Sequence, residues 1–170
     1  LLSFDGARWR RYMLPNFTTV RSLMYERETG RLYAGGSAEF GYFAPDSLSG
    51  ELAYTSLSAG LPEPHPPLSE IWKIVKSNGR IWFQSDYHLL SLDGDALQCH
   101  NVRNRISRTS QIGSLAFVAL ENGAILRVDG DNVSPIGGTE NLAGKKIITI
   151  LPFNEGSAML VGTSDDGLYI

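Results

Sequence analysis

Leu89-Leu90-Ser91-Leu92-Asp93-Gly94 is an apolar run stopped by Asp-Gly, and the chain opens with nearly the same words, Leu1-Leu2-Ser3-Phe4-Asp5-Gly6. Ile125-Leu126-Arg127-Val128-Asp129-Gly130 is a third version, and Gly41-Tyr42-Phe43-Ala44-Pro45-Asp46 a looser fourth. Glycine accepts the positive φ of a tight primed turn and aspartate bonds its own backbone there, so each stretch reads as a strand running into a hairpin. The aspartates at 5, 46, 93 and 129 recur at roughly forty residues, the spacing of a repeat architecture. Helical repeats of that length need a 3.6-residue amphipathic pattern, and the short alternating runs here do not have it. The sequence predicts an all-β chain, a β-propeller fragment of about four blades with four antiparallel strands in each.

Working outward from these turns, the chain reads as a single propeller segment over 1–170. A split blade covers 1–14, and further blades cover 20–57, 71–102, 105–136 and 146–170. Strands fall at Leu32–Gly35, Phe40–Ala44, Ile81–Gln84, Leu89–Leu92 and Ala158–Thr163, with Asn78-Gly79 and Asn122-Gly123 as turn signals. The first strand of the 105–136 blade lies somewhere in 105–112, a polar stretch. Four of the eight prolines, at 62, 64, 66 and 67, rule out regular pairing and make 60–67 the longest irregular connection. The chain begins and ends on third strands, which is the expectation for a piece cut from a longer ring. Its flanks then need a neighbour or a second copy to satisfy their edges.

Composition bounds the function. With 42% hydrophobic and 19% charged residues and 18 glycines, the chain is globular and rich in turns. A net charge of -3 leaves no electrostatic footprint for a polyphosphate, so no direct nucleic acid contact is expected. Leu115–Leu120 and Ile147–Leu151 are far shorter than the ~20 residues of a membrane span and read as core strands. Cys99 is the sole cysteine, which excludes an intrachain disulfide and reads as a small buried hydrophobe.

A search for chemistry finds no catalytic constellation. His65, His88 and His100 have no Cys or His partner at metal spacing, so no metal and no cofactor is expected. Asp129-Gly130-Asp131-Asn132 opens like a calcium loop but lacks the acidic residue due at its end. Ser164-Asp165-Asp166-Gly167 resembles the Asp-box turn of sialidase-like propellers, yet it has no repeated copy. Both read as turns. Arg103, Arg105 and Arg108 could hold an anion but fit an exposed loop better. Trp72, Trp82 and Phe83 read as core packing. Propellers bind through the loops that join second to third strands and those that join blades. Here those loops carry Glu39, Glu63, His65, Asp86, Tyr87, His88 and Asp165. An aromatic beside polar groups at Tyr87-His88 suits a sugar, with its apolar faces and hydrogen-bonding rim.

The first hundred residues also resemble a family, the propeller sensors of bacterial two-component and triple-tyrosine-motif transmembrane regulators. The resemblance is carried by Leu2, Phe4-Asp5-Gly6, Trp9, Tyr12, Leu14-Pro15-Asn16, Val20-Arg21-Ser22-Leu23 and Leu32-Tyr33-Ala34-Gly35-Gly36. It continues through Glu39-Phe40-Gly41-Tyr42-Phe43, Leu52, Tyr54, Ser56-Leu57, Ile71-Trp72 and Ile74. Beyond residue 100 only the blade rhythm matches. The resemblance implies a periplasmic segment of an inner-membrane receptor, whose relatives respond to glycans. Its partners would be a small-molecule or oligosaccharide ligand, the rest of the parent receptor and a second copy of itself, with the membrane reached only through the parent. Kinase or DNA-binding output would lie outside these residues.

The expectation is therefore a non-enzymatic, ligand-sensing propeller segment. A polysaccharide lyase or glycosidase propeller is one alternative. A protein-binding scaffold is another, disfavoured because no Trp-Asp dipeptide recurs.

Overall fold

The computed structural model describes residues 1–62 and 67–170. The chain is all-β. Strands β1 (Leu2–Phe4) and β2 (Trp9–Arg11) make a two-stranded sheet. β3 (Ser22–Glu26), β4 (Arg31–Gly35), β5 (Phe40–Pro45) and β6 (Leu52–Ser56) follow as a four-stranded meander in sequence order. Two more such meanders are β7 (Lys73–Ser77), β8 (Arg80–Gln84), β9 (His88–Asp93) and β10 (Ala96–Asn101), then β11 (Ile106–Ile112), β12 (Leu115–Leu120), β13 (Ile125–Asp129) and β14 (Asn132–Pro135). β15 (Ile147–Phe153), β16 (Ala158–Thr163) and β17 (Leu168–Tyr169) make a three-stranded sheet. The strands pair antiparallel in all five sheets. Two compact units result, 1–74 and 75–170, with the division inside β7.

The turns show how the repeated Asp-Gly words work. Asp93 pairs with Ala96 and Asp129 with Asn132, so each pair of strands turns through two residues, led by Gly94 at φ 57° and Gly130 at φ 60°. Asp5 and Asp46 close wider loops instead. Asp5 Oδ1 accepts the Ala7 and Arg8 amides at 2.9 and 2.8 Å, and Asp46 Oδ1 accepts those of Leu48 and Ser49 at 3.1 and 2.8 Å. Asn78 and Gly79 both take positive φ, the mirror-image turn that matches strand twist in a two-residue hairpin.

Packing follows the two-residue strand period. On β12, Ala116, Val118 and Leu120 join Val75, Trp82 and Leu89 in one core, while Phe117 and Ala119 join Ile147, Ile150 and Val161 in the next. Both faces of this strand are covered, which is why Leu115–Leu120 is a continuous apolar run rather than an alternating one. Each such aliphatic side chain, once fully buried, contributes about 1.5–3 kcal/mol of transfer free energy. In the first unit Leu14, Ala34 and Phe43 form the core, with Phe43 edge-on to Tyr12 and tilted against Tyr54.

Three expectations need correction. Trp82 and Phe83 are core residues, but Trp72 is 42% exposed, because it precedes β7 and Ile71 fills the interior in its place. Cys99 is only half-buried, on the outer strand β10. β15 is covered on one side only: Ile147 and Ile150 are buried, whereas Ile148 and Leu151 are exposed.

Candidate ligand-binding face

Backbone hydrogen bonds tie the loops after second strands to the connections that lead into first strands. In the second unit the Ile106 amide donates to the Asp86 carbonyl at 2.7 Å and Val102 to Tyr87 at 2.9 Å. Glu121 donates to Arg105 at 2.9 Å, Gly144 to Asn122 at 2.8 Å and Ser164 to Lys146 at 3.0 Å. One loop face is thereby held together along β8–β9, β10–β11, β12–β13 and β14–β15. Side chains on it are carried by fixed backbone, as a binding surface requires.

Its centre is a charged bridge. Arg105 spans two carboxylates: Nε donates to Asp86 Oδ1 at 3.1 Å, with Nη2 2.9 Å from the same oxygen, and Nη1 donates to Glu121 Oε1 at 3.0 Å. These hydrogen bonds, Glu121 first and then Asp86, together with the two negative charges, hold the guanidinium firmly protonated, above its ordinary range. Tyr87, next to Asp86, is 48% exposed. The same loop thus carries an exposed aromatic and, one residue before it, a carboxylate held in a fixed ion bridge, the two kinds of group that suit the face and rim of a sugar ring. Arg103 and Arg108, the other members of the arginine group, are exposed.

Of the remaining predicted site residues, Glu39 and His88 lie in the interior rather than on the loop surface. Glu39 is buried because three hydroxyls satisfy it: Tyr54 Oη and Ser56 Oγ donate to Oε1 at 3.0 and 2.8 Å, and Ser58 Oγ donates to Oε2 at 2.9 Å. Burial first, then the Glu39 charge and its hydrogen bond, push the Tyr54 phenol far above its ordinary value. Gly41 is needed beside this cage, since a Cβ there would sit 2.1 Å from the Thr55 carbonyl oxygen and 2.7 Å from Tyr54 Oη. His88 heads β9, a strand covered on both faces, so only its neighbour Tyr87 reaches the surface. Asp165 is exposed and accepts the Ser164 hydroxyl. Glu63 and His65 lie outside the described residues.

The calcium-like and Asp-box-like stretches are hairpin turns. Asp129 accepts from Asn78 and Arg127, and Asp131 pairs with Arg80. Asp166 pairs with Lys145 and accepts the Tyr169 hydroxyl. Among the described residues no group of three His, Cys, Asp or Glu side chains is placed to hold a metal ion.

Sequence reasoning missed one constellation in each unit. In the first, Arg21 Nε donates to Glu70 Oε2 at 3.1 Å, and its guanidinium lies 5.5 Å from the Trp72 ring centroid. In the second, Glu121 and Lys146 were not singled out. The available signal was register. Ser22 pairs with Gly35, Ile106 with Leu120 and Ile147 with Thr163, which makes Arg21, Arg105 and Lys146 the same position of successive sheets.

No known family profile matches the chain, and no curated protein matches it. Solved structures do. The extracellular domain assigned to the hybrid two component system BT4673 from B. thetaiotaomicron superposes with a TM-score of 0.66 at 15% identity, over 96% of this chain and 23% of that one. The corresponding domain of BT3049 from the same organism gives 0.60 at 15% identity, over 98% and 24%. The WD40 β-propeller domain of Doa1 gives 0.60 at 16% identity, over 96% and 54%. The chain therefore spans about half of the Doa1 chain and about a quarter of each sensor ectodomain. Among the described residues no helix is long and apolar enough to cross a membrane. At these identities the likeness establishes architecture: the chain has the all-β, propeller-like fold shared by WD40 domains and the extracellular domains of hybrid two-component systems.

Proposed function

We propose that the chain is a non-enzymatic ligand-sensing segment of a membrane-anchored signal-transduction regulator, exposed on the periplasmic side and responsive to a saccharide. The observation that carries the reading is the exposed Tyr87, next in sequence to Asp86 of the Asp86–Arg105–Glu121 bridge. Paired carboxylates and guanidinium offer fixed acceptors and donors to vicinal hydroxyls, and the phenol ring offers an apolar surface to the C–H face of a sugar. The likeness to extracellular domains of two hybrid two-component systems supports the setting. In such a receptor the ligand must bind one arrangement of the parent better than another, because only differential affinity shifts an equilibrium.

Isothermal titration of the chain against a panel of oligosaccharides tests this. The expected result is saturable binding that Tyr87→Ala weakens by about tenfold, the loss of one good aromatic contact. Silence across the panel would overturn the saccharide reading. Hydrolysis or eliminative cleavage of a polysaccharide by the purified chain would overturn the non-enzymatic one.

A further inference from the structure

An open cleft of about 580 Å³ is lined by residues of the β11–β12 turn and of the β15–β16 turn. The strands that lead into these turns, β11 and β15, lie against each other. In an antiparallel meander the turn from first to second strand and the loop from second to third stand at opposite ends. The cleft is therefore at the far end of the strands from Tyr87 and shares no residue with that face.

The β15–β16 turn is unusual in its backbone. Three successive residues are left-handed: Asn154 at φ 50°, Glu155 at φ 55° and Gly156 at φ 87°. Glycine takes such angles without steric cost and asparagine visits them readily, whereas a glutamate there is strained. Ser157 holds the turn closed, since its amide and its hydroxyl both donate to the Asn154 carbonyl, at 3.1 and 2.7 Å. The Glu155 side chain does not stabilise this arrangement. It is exposed, and among the described residues it makes no hydrogen bond or ion pair. Strained positions of this kind gather at ligand clamps, where the strain fixes the direction of a side chain.

What Glu155 does adjoin is the cleft. Among the described residues that line it, Glu155 is the one ionisable side chain, while Ile112, Leu115 and Pro152 supply apolar wall and Ser114 a hydroxyl. A cleft of this volume holds a small organic molecule. A carboxylate only accepts hydrogen bonds and carries a negative charge, so the lining favours a cation over a neutral or anionic molecule of the same shape.

We infer that this cleft binds an organic ammonium, an amine whose apolar body lies on Ile112, Leu115 and Pro152 and whose charged end is received by Glu155. The three N–H donors of a primary ammonium find acceptors in the Glu155 carboxylate and the Ser114 hydroxyl. The site is independent of the saccharide reading of the Tyr87 face.

The test is calorimetric titration of the chain with phenethylamine and with 2-phenylethanol, which has the same ring and chain length but no charge. The amine is expected to bind about fivefold more tightly, the size of one partly screened charge pair. Glu155→Gln, which keeps the shape and removes the charge, should abolish the difference, and added salt should erode it. Both variants used must be folded, and the site allows this. Glu155→Gln changes an exposed side chain and should melt with the parent, and Glu155→Gly should melt no lower, because glycine takes φ 55° freely, yet should lose the preference for the amine. N-acetyl-lysine amide is a third ligand: tighter binding of phenethylamine identifies a free amine as the source of the ammonium, and tighter binding of the lysine derivative a protein side chain. Equal affinity for phenethylamine and 2-phenylethanol overturns the inference, as does a preference for the amine that survives Glu155→Gln, or absence of binding by the amine. None of these results bears on oligosaccharide titration of the Tyr87 face, which stands or falls separately.

Discussion

Glu39 illustrates how a single residue can look functional and be structural. Its carboxylate sits on the loop between β4 and β5, where a ligand group would be expected, yet Tyr54, Ser56 and Ser58 supply three hydroxyl donors to it. Glu39→Ala would leave those hydroxyls without their acceptor and is expected to cost about 3 kcal/mol, read from the urea midpoint at constant slope. His100 is the residue through which stability should depend on mild acidity. Burial first, then the Arg80 charge, hold its pKa below 6.5, against an opposing pull from Asp131. Its ring also meets Ser91 Oγ at 3.1 Å and lies 5.0 Å from the Trp82 ring centroid. A lowered pKa means that the unfolded chain binds the proton more readily. The contribution is therefore fully present above about pH 6.5 and is lost as pH falls through the folded value. Urea melts between pH 7 and 5 should show that loss, and His100→Gln should flatten it.

At the scale of elements, the connections carry more specificity than the strands. Gly123 at φ 85° lies so close to the β14–β15 connection that a Cβ would sit 1.7 Å from the Leu142 carbonyl oxygen. Gly79, also at φ 85°, has open space around it. Gly79→Ala should therefore cost only the backbone strain, about 1 kcal/mol. Gly123→Ala must also displace a neighbouring backbone and should cost about 3 kcal/mol. Equal midpoints for the two variants in urea would contradict this account. The same elements show what the sequence discloses. Runs covered on both faces, such as β9 and β12, and turns with Asn-Gly or Asp-Gly could be placed from local rules. β11 was obscure because a bulge between Ile106 and Arg108 shifts its register and breaks the alternation that marks a strand. The bridge from Asp86 through Arg105 to Glu121 was obscure for a different reason: its partners lie 19 and 16 residues apart, on three loops, and only strand register brings them together. Trp72 was misread since an aromatic one residue before a strand has no periodicity to say which way it points.

At the scale of the whole molecule, exposed apolar surface concentrates on the sheets with fewer than four strands. In the first unit Leu2, Phe4 and Trp9 on β1 and β2 are exposed, with Phe4 and Trp9 stacked at 4.9 Å. Leu1, Met13, Phe17 and Leu23 line an adjoining open cleft of about 610 Å³. In the second unit Ile148, Leu151, Phe153 and Leu168 are exposed on β15 and β17. Soluble monomers rarely leave apolar patches of more than a few hundred Å² uncovered, and patches of that kind drive association. The chain is therefore expected to self-associate as its concentration rises, seen as a concentration-dependent mass in light scattering. The three tryptophans allow the contact to be located. Trp82 is buried, whereas Trp9 is 69% exposed. If the β1–β2 sheet forms the contact, acrylamide quenching should fall with concentration as Trp9 becomes covered, and Trp9→Ser should shift the mass toward monomer without changing the quenching of Trp82. A mass that stays monomeric into the high micromolar range would show that these faces are tolerated in water. Association unchanged by Trp9→Ser would place the contact on the sheet formed by β15, β16 and β17 instead.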